Sequence, residues 1–328
     1  MSANPVSISV VPHCVRSSSG SFLRLRGKVR MGVGILFLLV TISIAQSPRP
    51  AGVLEPPHPF NKVQTEIENE NFDQALTLLR MDLLTGWDHI WHDFLEGQAL
   101  IGKNKLDAAT EILERCKAQL DGLSDDASAK RLLSRVERKL GLIERKNQNY
   151  DLAAELHRNA LALAVDYGSA EEEHDCWISL DVDAWHKQDW SESERVLRAS
   201  LDIADQIQDE TAKLRARATS LNNLGGTLAQ LTRFQEGDDA LNQSLTLWDE
   251  WEKVSGKTTE HRAIWAHYGI ADLHLLWAKF IGEADHLEAS QHKARAKYEL
   301  IAAMAMGREA NMSTENLHEI EKRLPECE

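Results

Sequence analysis

Four groupings of side chains in this 328-residue chain have types and spacings that could do chemistry. Ser255-Gly256-Lys257-Thr258 ends like a phosphate-binding loop, in which glycine amides and a lysine cradle phosphates. The glycine that opens such a loop would fall at Trp251 and no strand precedes it, so the segment reads as a turn between helices. His89 and His92 stand three apart, and His267 and His274 seven apart with Asp272 between them, so each pair could present imidazoles on one helical face. Glu171-Glu172-Glu173-His174-Asp175-Cys176 lines up carboxylate, imidazole and thiol ligands. Zinc needs three or four convergent ligands, and none of these groups supplies them locally. The acid run has a simpler use, since carboxylates favour the positive end of a helix dipole. With no HExxH and no GxSxG in the chain, no catalytic residue, metal or cofactor is expected.

The fourth grouping is basic. At 100° per residue, Arg131, Arg135, Arg138 and Arg145 fall within about 80° of one another, opposite Leu132, Val136, Leu140 and Ile143. The expectation is a stripe facing away from the core. Its residues are either solvated and paired with acids such as Glu137 or Glu144, or free to anchor a carboxylate or acidic side chain of a bound peptide.

The elements that must carry these residues are helices. Of eight prolines, seven (5, 12, 48, 50, 56, 57 and 59) precede Phe60 and the last is Pro325. A sheet-containing domain would place proline in its turns, whereas long helices with short connections exclude it. The chain is 43% hydrophobic, enough to bury a core. It carries a net charge of −14 even though Arg16, Arg24, Arg26, Lys28 and Arg30 precede any acid, so everything after Ala45 is more acidic still. Such a domain repels nucleic acid and anionic bilayers, and neither is expected as a partner.

Met31–Ala45, uncharged and mostly apolar behind RLRGKVR, is about five residues short of a spanning helix. A basic region, a short apolar run and Ser43-Ile44-Ala45 before Gln46 are the chemistry of a secretory signal. Residues 1–45 are therefore expected as a leader that exports the rest, into a periplasm or out of the cell. The alternative is an uncleaved anchor that holds the domain at a membrane outside the cytoplasm. Residues 1–30 read as structureless and 46–58 as an extended proline-rich linker. Cys14, Cys116, Cys176 and Cys327 form no CxxC and imply no disulfide framework.

From Phe60 onward the chain repeats itself. A large residue is followed by a small one three later and usually another large one four beyond: Phe72-Ala75-Leu79, Leu106-Ala109-Leu113, Tyr150-Ala153-His157, Trp190-Ser193-Leu197 and Phe234-Gly237-Leu241. Cys116, Ala160, Ser200 and Ser244 extend the last four, and a sixth unit lies near Ile281-Ala284. These spacings make one helical stripe in the second helix of a pair. Asn71, Asn149 and Asp189 stand where an N-cap belongs, and Ser169/Glu172 and Ser191/Glu194 have capping-box spacing. Gly97, Gly141 and Gly225 recur nine residues before the stripe begins, where the two helices of a pair are expected to touch. The spacing predicts helix pairs over 59–84, 87–121, 125–166, 169–208, 211–254 and 257–307, then a tail with a short helix from Ser313.

These residues resemble the tetratricopeptide repeat family, best over Leu221–Ser244 and Glu137–Ala160, although the repeats are longer than the usual ~34 residues and lack the closing proline. The resemblance implies an all-α superhelix of about six helix pairs over 59–310, with 311–328 as a tail. It implies a concave groove lined by the first helix of each pair, and a protein or peptide partner. Its register puts Arg135, Arg138 and Arg145 in the groove, with Trp185 further on and Trp265 and Tyr268 toward the C-terminal end. Asn222 joins them, but lysines at the sites where family members clamp a carboxylate do not. The nine tryptophans otherwise read as inter-helix packing. An exported, non-enzymatic binding scaffold is the leading expectation. A tethered assembly factor or sensor comes second, and an enzyme with a site spread across helices third.

Overall fold

The computed structural model describes residues 22–24, 41–43, 54–80, 86–123, 126–256, 262–282, 284–310 and 312–328. The chain divides into two units, Met1–Arg49 and Pro50–Glu328. In the first, strand β1 (Phe22–Arg24) pairs antiparallel with β2 (Thr41–Ser43), Leu23 opposite Ile42. Phe22–Arg24 thus departs from the structureless reading of residues 1–30. The rest of the expected leader, and Cys14, lie outside the described residues.

In the second unit the described residues are helical. Six pairs run in order: α1 (Phe60–Glu68) with α2 (Phe72–Leu78), α3 (Trp87–Gly102) with α4 (Leu106–Asp121), α5 (Ala127–Lys146) with α6 (Tyr150–Tyr167), α7 (Ala170–His186) with α8 (Trp190–Ala204), α9 (Glu210–Gln230) with α10 (Phe234–Ser255), and α11 (Arg262–Ile281) with α12 (His286–Glu309). Helix α13 (Thr314–Glu321), capped by the Ser313 hydroxyl, and a 3₁₀ turn at Leu324–Cys327 follow. Among the described residues no helix is long and apolar enough to cross a membrane.

Each stripe opens the second helix of its pair. Ala75, Ala109, Ala153 and Ser193 are fully buried, as are Cys116, Ala160, Ser200 and Ser244 one turn or two later. The recurrent glycine faces the large stripe residue. A Cβ on Gly97 would stand 2.6 Å from Leu113, one on Gly141 2.5 Å from His157, and one on Gly225 2.5 Å from Leu241. A side chain at these positions would displace the facing stripe residue, so glycine's cost in a helix interior is offset by packing.

A second device repeats inside each pair. Glu70, Asn104, Gln148, Gln188 and Thr232 all take φ between 56° and 65°, and Gly282 takes 58° at the sixth turn. The amide that follows the first five bonds back to a carbonyl five residues earlier, as from Asn149 to Glu144 at 2.9 Å and from Arg233 to Leu228 at 2.9 Å. This left-handed closure satisfies the end of the first helix and reverses the chain in three residues.

Capping follows the sequence in part. Ser169 and Glu172 form the capping box, with Glu172 N–H donating to Ser169 Oγ at 3.2 Å and Ser169 N–H to Glu172 Oε2 at 3.0 Å. Ser191/Glu194 does not, because Asp189 caps α8 through Glu192 N–H, and Glu194 pairs instead with Arg198 and Arg233. Asn71 and Asn149 occupy N-cap positions, but their amides donate back to Glu66 and Glu144. The sixth unit is also corrected. Gly282 ends α11 and Asp285 caps α12, so its buried side chains (Ala296, Leu300, Ala303, Met304) lie well past Ala284.

Candidate functional site

The first helices of the pairs line a cavity of about 870 Å³ that runs from Gln64 and Ile67 on α1, past Gln98, Arg135 and His174, to Asn222 and Trp265. Leu54, Glu55 and Pro56, from the expected linker, form part of its wall. A second cavity of about 480 Å³ adjoins it and shares Asn222 and Trp265. Trp185, Asn223, Tyr268 and Asp272 are among its other lining residues.

Arg135 and Arg138 therefore line the larger cavity, Trp185 and Tyr268 the smaller, and Asn222 and Trp265 both. Arg145 lines neither. It donates to the Ser179 carbonyl at 3.2 Å and to Asp183 at 3.3 Å, while Asp183 lies 2.5 Å from His157 Nδ1. This buried trio explains why the third stripe carries histidine where its neighbours carry leucine.

The arginine stripe does not face solvent, and its expected intrahelical partners are wrong. Arg131 and Arg135 are buried, and the pairs cross to α7: Arg131 with Glu172 at 2.6 Å, Arg138 with Asp175 at 3.0 Å and Arg145 with Asp183. Glu137 pairs with Lys117 of α4 at 2.8 Å and Glu144 takes Asn149. The reason is architectural. The face of α5 opposite its apolar side meets the next first helix, not water.

Arg135 is held from two sides. Its guanidinium lies 4.9 Å from the Phe94 ring centroid and 5.6 Å from that of Trp91, and its Nη1 donates to the Leu54 carbonyl. Burial, with Arg138 close by, pulls its pKa down to about 10. The Leu54 N–H donates to Glu172 Oε1 at 2.9 Å. Donor and acceptor of one residue's backbone are thus both gripped by side chains of the groove.

Three buried polar atoms of residues that line the larger cavity, Gln64 Oε1, Gln98 Nε2 and Asn222 Oδ1, have no hydrogen-bond partner among the described residues. Unsatisfied buried groups are few in folded proteins, and each calls for a partner such as an ordered water or a ligand. Sequence reading had singled out only Asn222. It also passed over Lys139, which falls about 40° beyond Arg135 and beside Leu132, at the edge of the charged stripe.

The other sequence candidates are accounted for by structure. His92, Asp93 and Glu96 come within 4.8 Å of one another, but Arg115 holds Asp93 bidentately at 2.7 and 2.8 Å. Burial opposes ionisation of Asp93, yet Arg115 and His92 bring its carboxyl down to about 2. A carboxylate so committed to an arginine makes a poor metal ligand. His267 pairs with Glu299 at 2.6 Å and His274 with His292 at 2.8 Å, while Asp272 pairs with Arg323. Gly256 is the left-handed cap of α10, and Lys257–His261 lie outside the described residues. Cys116, Cys176 and Cys327 are buried free thiols. Burial pushes Cys116 and Cys176 up to about 12, far from the thiolate that nucleophilic chemistry needs.

No family model and no curated protein matches the sequence. Solved structures match the fold. NprR in complex with its cognate peptide NprX aligns with a TM-score of 0.56 at 12% identity, covering 80% of this chain and 69% of that one. A Rap protein complexed with competence and sporulation factor gives 0.51 at 12% identity, over 84% and 90%. BtubC from P. vanneervenii gives 0.52 at 14%, over 73% and 91%. The helical unit has the fold of a tetratricopeptide-like repeat array.

Proposed function

We propose that this protein is a peptide-binding scaffold whose ligand lies extended along the groove that the first helices line. The observation that carries this reading is the grip on Leu54: Arg135 takes its carbonyl and Glu172 its amide, as they would take any residue of an extended ligand. Gln64, Gln98 and Asn222 add a donor and two acceptors along the same path. Aromatic Trp185, Trp265 and Tyr268 supply apolar surface beyond them. NprR, solved with a peptide, lends support at the level of fold. Arg138, Asp175 and Glu172 of the cavity wall are engaged in structural pairs, which favours a scaffold over an enzyme.

The test is to pan a random library of extended octapeptides on the full chain and on Leu54→Pro, which removes the amide that Glu172 accepts. Enriched peptides should bind the variant more tightly, and Arg135→Lys should weaken them by removing the planar fork. Absence of enrichment on both proteins overturns the reading.

The leader is the ground for a second part of the proposal, that the repeat unit works outside the cytoplasm. Leu38→Arg with Leu39→Arg places two charges in the apolar run, at about 2.5–3.5 kcal/mol each for insertion. Export of that variant at the normal level would defeat this part. Sequencing the mature N-terminus separates a cleaved signal from an anchor.

A further inference from the structure

Three first helices wall the smaller cavity, and its chemistry is one-sided. Trp265, Tyr268 and Asp272 stand at i, i+3 and i+7 of α11, so one face of that helix brings two rings and a carboxylate. Helix α7 adds Asp181 and Trp185, and α9 adds Asn222 and Asn223. Among the described residues no lysine or arginine lines it. Asp181 is 1% exposed and, among the described residues, makes no ion pair. The cations of the neighbourhood are taken, Arg145 by Asp183 and Arg323 by Asp272. Ser193 Oγ and Asn223 Nδ2 each donate to a different oxygen of Asp181, which fixes the carboxylate but leaves each oxygen a lone pair. Neither donor brings a countercharge, and burial pushes the carboxyl up to about 6. The amides beside it run the same way. Asn222 Nδ2 donates to Asn223 Oδ1, so the free end of the chain is Asn222 Oδ1, an acceptor without a partner among the described residues.

We propose that the smaller cavity binds an organic cation, an ammonium or guanidinium group held between its aromatic rings and the Asp181 carboxylate. The rings are set in place beforehand. Trp185 Nε1 donates to Thr227 at 2.9 Å, and Trp265 and Tyr268 meet edge to face with centroids 5.7 Å apart. The face of such a ring attracts a cation, more strongly where water is displaced. A neutral apolar group would cover the rings but leave Asp181 uncompensated, and an anion would be repelled by it. The site does not depend on a peptide in the larger cavity. A free amine and a lysine or arginine side chain carry the same group.

The experiment is a calorimetric titration of the full chain with two matched pairs of probes. One is choline and its neutral analogue, in which a quaternary carbon replaces the nitrogen. The other is an acetylated octapeptide with a central lysine and the same peptide with norleucine there. The charged member of a pair should bind about 10-fold or more tightly than the neutral one. Preference within the choline pair identifies a free cation as the ligand, and preference within the peptide pair alone identifies a side chain. Asp181→Asn should weaken the charged probe about 10–100-fold. Trp265→Leu, at a residue 36% exposed, should weaken it about 3–10-fold and serves if the Asp181 variant does not fold. Equal binding within both pairs overturns the proposal. So does a charge preference that survives either substitution in a folded protein, since the cation then lies elsewhere. Failure of library panning to enrich any peptide leaves the choline pair unaffected, so the scaffold reading and the cation site fall separately.

Discussion

Gly225 of α9 and Gly237 of α10 meet backbone to backbone: a Cβ on Gly225 would stand 2.8 Å from the Gly237 carbonyl oxygen, and one on Gly237 2.9 Å from that of Gly225. The far end of a flexible side chain could move aside, but here backbone is the obstacle. Gly225→Ala should therefore cost about 1–3 kcal/mol, and Gly225→Trp more. The check is a lowered urea midpoint at constant slope. An unmoved midpoint would mean that α9 and α10 can slide apart freely.

Thr232 presents the opposite case. It is β-branched, yet holds φ at 60° in the turn between α9 and α10. The left-handed conformation costs an L residue about 1–2 kcal/mol, which glycine avoids. Thr232→Gly should raise the thermal midpoint by the equivalent of about 1 kcal/mol, and a drop would place the threonine side chain in a stabilising role.

Arg145 belongs to the fold and not to the ligand. Arg145→Met leaves Asp183 buried with His157 as its remaining partner, and should cost about 3 kcal/mol by denaturation. Capture of the peptides enriched on wild type should be unchanged once the variant is folded. Selective loss of capture would return Arg145 to the groove.

Asp181 gives a pH signature. Burial raises its carboxyl to about 6, although Ser193 Oγ donates to it at 2.6 Å and Asn223 Nδ2 at 2.9 Å. A carboxyl with its folded pKa above the unfolded value stabilises below the unfolded pKa. That contribution is lost as pH rises through the folded one. Wild type should thus lose up to about 3 kcal/mol relative to Asp181→Asn between pH 4 and pH 7. Parallel stability curves for the two proteins would refute this.

The helices were legible because their signals are local. A proline-free run, a 3-4-3 stripe and a recurrent glycine each report on backbone geometry within one pair, and Gly97, Gly141 and Gly225 found Leu113, His157 and Leu241 as the spacing requires. The sixth pair falls where the spacing puts it, but its stripe does not, because α12 buries Ala296, Leu300 and Ala303, which lie beyond the stripe's usual reach from the turn. The site was legible only as a face. Angle alone grouped Arg145 with Arg135 and set Lys139 aside, since it cannot tell which neighbouring helix brings an acid. Asp183 reaches the first and no partner reaches the last. The Leu54 grip left no trace at all, because it joins residues 118 apart with no pattern in common.

That separation sets an order of events during synthesis. The helices meet chiefly those one or two places away in the chain, so each pair can settle as soon as it emerges. Leu54 is made before any of them, yet its partner Glu172 follows 118 residues later. At about 5–20 residues per second the segment waits on the order of 10 s, until α7 exists. The first piece of the repeat unit to leave the ribosome finds its place only when about half of the helices have been made.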